Sequence, residues 1–278
     1  RIADSITSKK EDLRLVLVAG PSASGKTTFS KRLATQLQVN GIRPLALSMD
    51  NYFVNRESCP RDERGELDFE ALDALDLDLF NRHLADLLEG REVAVPRFDF
   101  ETGCRRSEHR NLWLEDDQIL VVEGIHALNP KISATVPERN KFRIYVSALT
   151  QLTINDHSRI STTDTRILRR LVRDSRFRNY NADQTLKRFP SVIRGERRNT
   201  FPFQENADVM FNSWLVYELA VLKRCAEPLL LRISTEHSEY SEARRLLKFL
   251  SYFQDIPPDS VPDNSILREF IGASAFRY

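Results

Sequence analysis

Cysteine is scarce in this chain of 278 residues, and the three present (Cys59, Cys104 and Cys225) are odd in number and widely separated. That pattern matches neither a disulfide framework nor a set of zinc ligands, so they are read as ordinary thiols in a reducing cytosol. No stretch approaches the ~18 uninterrupted apolar residues of a membrane span. An excess of either charge is missing too. Forty-one Lys and Arg against forty Asp and Glu leave a formal net charge of +1, whereas a dedicated nucleic-acid binder is usually strongly basic. The start, Arg1-Ile2-Ala3-Asp4, has neither a methionine nor the basic-then-apolar plan of a secretory leader. The chain is therefore expected to be a cytoplasmic piece of something longer. Repeats and low-complexity tracts are absent.

What is present is a core-forming composition, 41% hydrophobic, enough for one large α/β domain or two small ones. The apolar run Leu13-Arg14-Leu15-Val16-Leu17-Val18-Ala19 leads into Gly20, Pro21, Ser22, Ala23, Ser24, Gly25, Lys26 and Thr27, and a helix opens at Thr28. Buried strand, glycine-bounded turn and helix together make a phosphate-binding loop. The glycines let successive N–H groups face one cup at the positive end of the helix. Lys26 can reach β- and γ-phosphates, and the Thr27 hydroxyl can hold Mg²⁺. A nucleoside triphosphate is the expected ligand. Guanine recognition normally adds Asn-Lys-x-Asp, but Asn140-Lys141-Phe142-Arg143 lacks the aspartate. Asp62-Glu63-Arg64-Gly65 fits a loose Asp-x-x-Gly pattern, yet no apolar strand precedes it.

Periodicity predicts further strands over residues 44–48, 92–100, 118–122, 142–146, 208–211 and 229–233. Helices are expected over residues 29–39, 71–88, 164–174, 215–225, 241–253 and 265–271, with a loop over 55–68. Strands alternating with helices at this spacing indicate a mainly parallel sheet covered on both faces. Residues 1–12 read as a polar lead-in, 13–256 as the catalytic domain with a mobile lid at about 174–206, and 257–278 as a tail with a short helix.

Asp50 follows the second strand, where open α/β sheets hold ligands. It can accept a hydroxyl's proton or bind Mg²⁺ through water. The plainer alternative is a helix N-cap or turn aspartate. Glu123 closes the strand Ile119-Leu120-Val121-Val122 and could complete the Mg²⁺ shell, or be a simple strand-end acid. Arg166, Arg169, Arg170 and Arg173 share one helix face. They suit anionic phosphates in a closing lid that excludes water. The alternative is a solvated basic helix paired with acids such as Asp164 and Asp174.

Six ordered motifs resemble the uridine kinase and phosphoribulokinase family, and most closely its uridine kinase-like branch. They are residues 20–27; Ser48-Met49-Asp50-Asn51-Tyr52-Phe53; Asp68-Phe69-Glu70-Ala71-Leu72-Asp73-Ala74-Leu75-Asp76; Pro96-Arg97-Phe98-Asp99-Phe100; Val122-Glu123-Gly124-Ile125; and the stretch from Asp164 to Asp174. The resemblance runs from Leu13 to about Ile233. It implies an α/β fold of P-loop NTPase type, with a small acceptor-side hairpin insertion and an arginine-rich lid. It also implies ATP- or GTP-dependent, Mg²⁺-assisted phosphorylation of a nucleoside 5′-hydroxyl. Asp50 then matches the catalytic aspartate, Glu70 the acid at the ribose hydroxyls, Arg166 a ribose-side arginine, and Arg169 and Arg173 phosphate-facing lid arginines. Tyr52, Phe98 and Phe100 fall on the acceptor side. Phe98 and Gly103 depart from the family by standing where uridine kinases present a tyrosine and a histidine to the pyrimidine. Similar proteins often carry an N-terminal region resembling parts of threonyl-tRNA synthetase.

The expected activity is a cytoplasmic phosphotransferase with a small-molecule acceptor and no membrane association. A homo-oligomer is compatible with it. Two alternatives stay open: a nucleotide-gated RNA-binding or regulatory module, and a kinase of a sugar phosphate or vitamin.

Overall fold

Every residue of β1 (Leu15–Ala19) is buried, and its side chains go alternately to two cores. Leu15, Leu17 and Ala19 join one cluster with Leu120 and Val122. Val16 and Val18 join the other with Ile119, Val121 and Ile144. A strand apolar on both faces belongs inside a parallel sheet with helices above and below, which is the arrangement seen in the computed structural model. It describes residues 1–156 and 158–277. The other sheet strands are β2 (Arg43–Ser48), β5 (Gln118–Glu123), β6 (Lys141–Ser147) and β9 (Val209–Asn212), in the order β2-β5-β1-β6-β9. The β1–β5, β1–β6 and β2–β5 pairings are all parallel. Between β2 and β5 come α3 (Leu77–Leu88) and the antiparallel hairpin of β3 (Val93–Asp99) and β4 (Cys104–Leu112). The Asp76 side chain caps α3 by accepting from Leu79 N, as an N-cap aspartate does.

The chain divides into two compact units. The first, Arg1–Pro21, Phe29–Val146 and Ser191–Phe211, holds the sheet and the hairpin. The second, Ser22–Thr28, Ser147–Pro190 and Asn212–Tyr278, is mostly helical. It contains the short pair β7 (Thr153–Asn155) and β8 (Ser158–Arg159), then α4 (Thr162–Phe177), α6 (Glu218–Leu230), α7 (Tyr240–Leu250) and α8 (Arg268–Ile271). Helix α4 packs on α6 and α8, and α6 on α7. Two helices, α2 (Lys26–Val39) and α5 (Ala182–Asn199), run through both divisions of the chain.

One expectation is corrected, and three segments gain detail. Residues 229–233 are not a strand: α6 continues to Leu230. Leu222, Ala226 and Leu230 are buried at four-residue steps while Leu231 is exposed, a helical stripe that a short apolar run conceals. The stretch after α4, expected to be a mobile lid, holds α5, an 18-residue helix with Pro190 inside it. The lead-in forms α1 (Ile2–Thr7), whose Ala3 and Ile6 are buried in the second core cluster. The tail carries its short helix, and Val261, Ile266, Leu267, Phe270 and Ile271 are all buried. Among the described residues no helix is long and apolar enough to cross a membrane.

Candidate active site

In the first unit, parallel register sets Val18 opposite Glu123 and Glu123 opposite Ser48. The carboxyl edge of the sheet therefore carries Gly20 and Pro21 after β1, Glu123 at the end of β5, and the turn that follows β2. Ser48 donates its hydroxyl hydrogen to Glu123 Oε1 at 2.6 Å and accepts from the Asp50 amide at 3.4 Å. Ser48 thus takes the N-cap position that one reading gave to Asp50, and Asp50 lies within the 3₁₀ turn Met49–Tyr52. Among the described residues none hydrogen-bonds the half-buried Asp50 carboxylate. Glu123 is 7% exposed. The turn packs tightly on the strand end, since a Cβ added at Gly124 would lie 2.6 Å from Met49 Cβ. Gly124→Ala should accordingly cost about 1–3 kcal/mol, the usual range for overpacking. A lowered midpoint in chemical denaturation would register it.

Tyr52 is expected on the acceptor side. It is fully buried, with its hydroxyl 3.0 Å from His83 Nδ1 and its ring edge-on to Phe80. Burial pushes its phenol pKa up, as expected of a core tyrosine. Phe98 and Phe100 do come together: with Phe53 they form a cluster of ring centroids 5.2–6.0 Å apart. Arg105, paired with Phe98 across the hairpin, ties this cluster to the Asp50 turn. It donates to the carbonyls of Phe53 and Tyr52 and to Asp76 Oδ2, at 2.9, 2.8 and 3.0 Å. A Cβ at Gly103 would sit 2.5 Å from Arg56 Nε, so the guanidinium of Arg56 fills the space that a histidine side chain would take.

Glu70 is 6% exposed. The second half of α5 lies so close that a Cβ at Gly195 would fall 2.5 Å from Glu70 Cβ. Neighbouring Asp68 is also buried, and burial raises its carboxyl pKa. The same half-helix clamps this loop: Arg194 Nη2 and Ser191 Oγ donate to Asp62 Oδ2 at 2.7 and 3.1 Å. These bonds hold part of the expected lid in place.

In the second unit, the arginine face of α4 meets the main chain of the phosphate loop. Arg166 Nε donates to Ser22 O at 2.9 Å, and Arg170 Nη1 to Ser22 Oγ at 2.8 Å. Arg166, expected beside a ribose, is only 2% exposed. Arg169, expected to face phosphate, is fully buried: its Nη1 donates to Ala23 O at 3.3 Å and its Nη2 contacts Glu218. Arg173 donates to Asp174 Oδ1 from Nε and Nη2, at 2.9 and 2.7 Å. The arginines are therefore not a solvated face, because these donors hold backbone, hydroxyl and carboxylate oxygens. Lys26 and Ser24 are buried in this loop at 9% and 0% exposure. Burial pulls the Asp174 pKa up, but Arg173, Arg170 and Arg178 outweigh it and hold it at about 2. A depressed carboxyl stabilises above its unfolded pKa and loses that contribution as pH falls through the folded value. Asp174→Asn should therefore lower the denaturation midpoint at neutral pH, and the difference from wild type should close between about pH 4 and pH 2.

Sequence reasoning missed Arg105, Ser213, Glu218 and Glu269. Only Glu218 carried a signal, as a lone acid at the start of an apolar helix.

A model described as the Phosphoribulokinase / Uridine kinase family matches residues 15–218. A uridine kinase of Staphylococcus haemolyticus (strain JCSC1435) is 30% identical over 198 residues, covering 70% of this chain and 86% of that protein. A uridine kinase of Staphylococcus aureus (strain JH9) is 31% identical over 180 residues, covering 65% and 77%. A solved structure described as a possible uridine kinase from Bacillus stearothermophilus superposes with a TM-score of 0.50 at 20% identity, over 76% of this chain and 95% of that one. That last likeness speaks to the fold alone. With a family model spanning most of its length, the chain belongs to the phosphoribulokinase/uridine kinase family, whose members are phosphotransferases acting on a hydroxyl group.

Proposed function

We propose that this kinase moves the terminal phosphoryl group of ATP or GTP to the 5′-hydroxyl of a nucleoside, with weak discrimination among bases. The observation that carries this reading is the sheet edge of the first unit, where Asp50, Ser48 and Glu123 stand together and the Phe53–Phe98–Phe100 cluster adjoins their turn. Asp50 takes the proton as the acceptor oxygen bonds to the γ-phosphorus, and the bond from that phosphorus to the nucleoside diphosphate breaks.

In the first unit, Glu123 and Asp50 are oxygen donors of the kind Mg²⁺ prefers, and few protein ligands suffice when phosphates and water supply the rest. Bound there, the cation would neutralise charge on the β- and γ-oxygens.

The aromatic cluster offers a ring-stacking surface but no hydroxyl at Phe98, and Gly103 brings no side chain. Each hydrogen bond lost to a polar edge of the base removes about 1–3 kcal/mol of selectivity. A screen of nucleosides, sugar phosphates and vitamins for acceptor-dependent ADP release, with products identified by mass spectrometry, tests the reading. We expect several nucleoside monophosphates formed at kcat/KM values within about tenfold of one another. A sugar phosphate or vitamin as the sole phosphorylated product would replace the nucleoside. Nucleotide hydrolysis indifferent to every acceptor would defeat the transferase reading.

A further inference from the structure

We infer that Glu218 and Ser213 act through Arg169 as positioning residues for the phosphate loop. Ala23 has φ +59°, a left-handed conformation that costs an alanine about 1–2 kcal/mol. Such a residue turns neighbouring N–H groups to one side of the loop, as in an anion-binding nest, and leaves carbonyls on the other that need donors. Here Ala23 O accepts from Arg169 Nη1 at 3.3 Å, and Ser24 O accepts from the Ser213 hydroxyl. Arg169 Nη2 in turn donates to Ser213 O at 3.0 Å and to Glu218 Oε2. Both charged side chains are 0% exposed. Burial pushes the Glu218 carboxyl pKa up against the pull of Arg169, and the Arg169 guanidinium lies 5.1 Å from the Phe270 ring centroid. Its charge is matched by Glu218, so its work is to keep the strained loop in its cup-forming shape.

This inference rests on the nucleotide-binding reading of the loop. It is tested by equilibrium ATP binding and thermal unfolding of wild type, Ser213→Ala, and the double variant Arg169→Met with Glu218→Leu. Replacing a buried ion pair by apolar residues of similar size is often neutral for stability. The double variant should therefore melt near wild type yet bind ATP roughly tenfold more weakly, the loss expected for one charged hydrogen bond. Ser213→Ala, which strands no charge, should bind several-fold more weakly. Wild-type affinity in either folded variant would reduce the network to packing and overturn the inference. A wild type that binds no ATP would overturn the kinase reading as well.

A different contact supports a second inference: the 265–271 segment competes with the nucleotide for the loop. Glu269 Oε2 accepts from Thr28 N at 3.0 Å and from Thr28 Oγ1 at 2.8 Å. Thr28 lies in the first turn of α2, where amides without an intrahelical acceptor favour an anion. A carboxylate is thus already seated on donors that a polyphosphate would use, and two like charges cannot share them without repulsion. Its neighbours are fixed around the loop. Ile266 Cγ2 comes within 2.5 Å of where a Gly25 Cβ would stand, and Arg176 Nη1 donates to Ile271 O. Glu269→Gln keeps the shape and removes the charge. It should bind ATP about three- to tenfold more tightly, in line with release of one charged hydrogen bond, with the KM for the acceptor unmoved. Unchanged or weaker ATP binding would overturn this inference by making Glu269 a supporting cap of α2.

Discussion

Replacing Asp50 by asparagine should leave the fold intact and lower kcat by roughly 10²–10⁴, the range contributed by a positioned proton acceptor. The expectation follows from how the residue is held. Its amide donates to Ser48 Oγ, and Ser48 is in turn fixed by Glu123. Neither contact involves the carboxylate, so asparagine keeps the turn and loses only basicity. The unfolding midpoint should match wild type, and the KM values should move far less than kcat, as they do when an interaction made in the transition state is removed. Steady-state rates with saturating nucleotide and acceptor decide the matter. Unchanged turnover would take Asp50 out of the reaction.

Replacing Lys26 by methionine should also suppress transfer strongly, by about 10²–10³, because one preorganised cation aimed at developing phosphate charge is worth that much. Lys26 opens α2 and is 9% exposed, so its stem is packed. Methionine keeps most of the stem, which makes this variant a cleaner probe than alanine. Nucleotide affinity should fall less than kcat if the ammonium engages mainly the transferring group. Turnover within tenfold of wild type would contradict this role.

The sheet was legible because its strands are apolar on both faces and bounded by turn residues: β1, β5 and β6 lie within a residue or two of their expected limits. The strand-end positions of Asp50 and Glu123 were legible for the same reason. The arginines were not. Spacing correctly put Arg166, Arg169, Arg170 and Arg173 on one face of α4, but spacing cannot say whether that face meets a ligand or a backbone. Arg169 is buried because Glu218 and Ser213, more than forty residues on, provide its partners. The surroundings of Tyr52 were equally hidden: His83 and Phe80 draw its ring into the core. The α5 helix escaped notice because Pro190 and a polar composition mask its period.

Pro190 has a consequence of its own. Lacking an N–H, it cannot close the backbone ring to Leu186 O, so α5 misses a rung at mid-length. The second half of the helix is riveted to the 62–70 loop by Arg194 and Ser191, and the chain's division into units falls between Pro190 and Ser191. Deuterium should therefore enter the amides around this gap sooner than those of the riveted turns, and α5 should fray as two segments with separate opening energies.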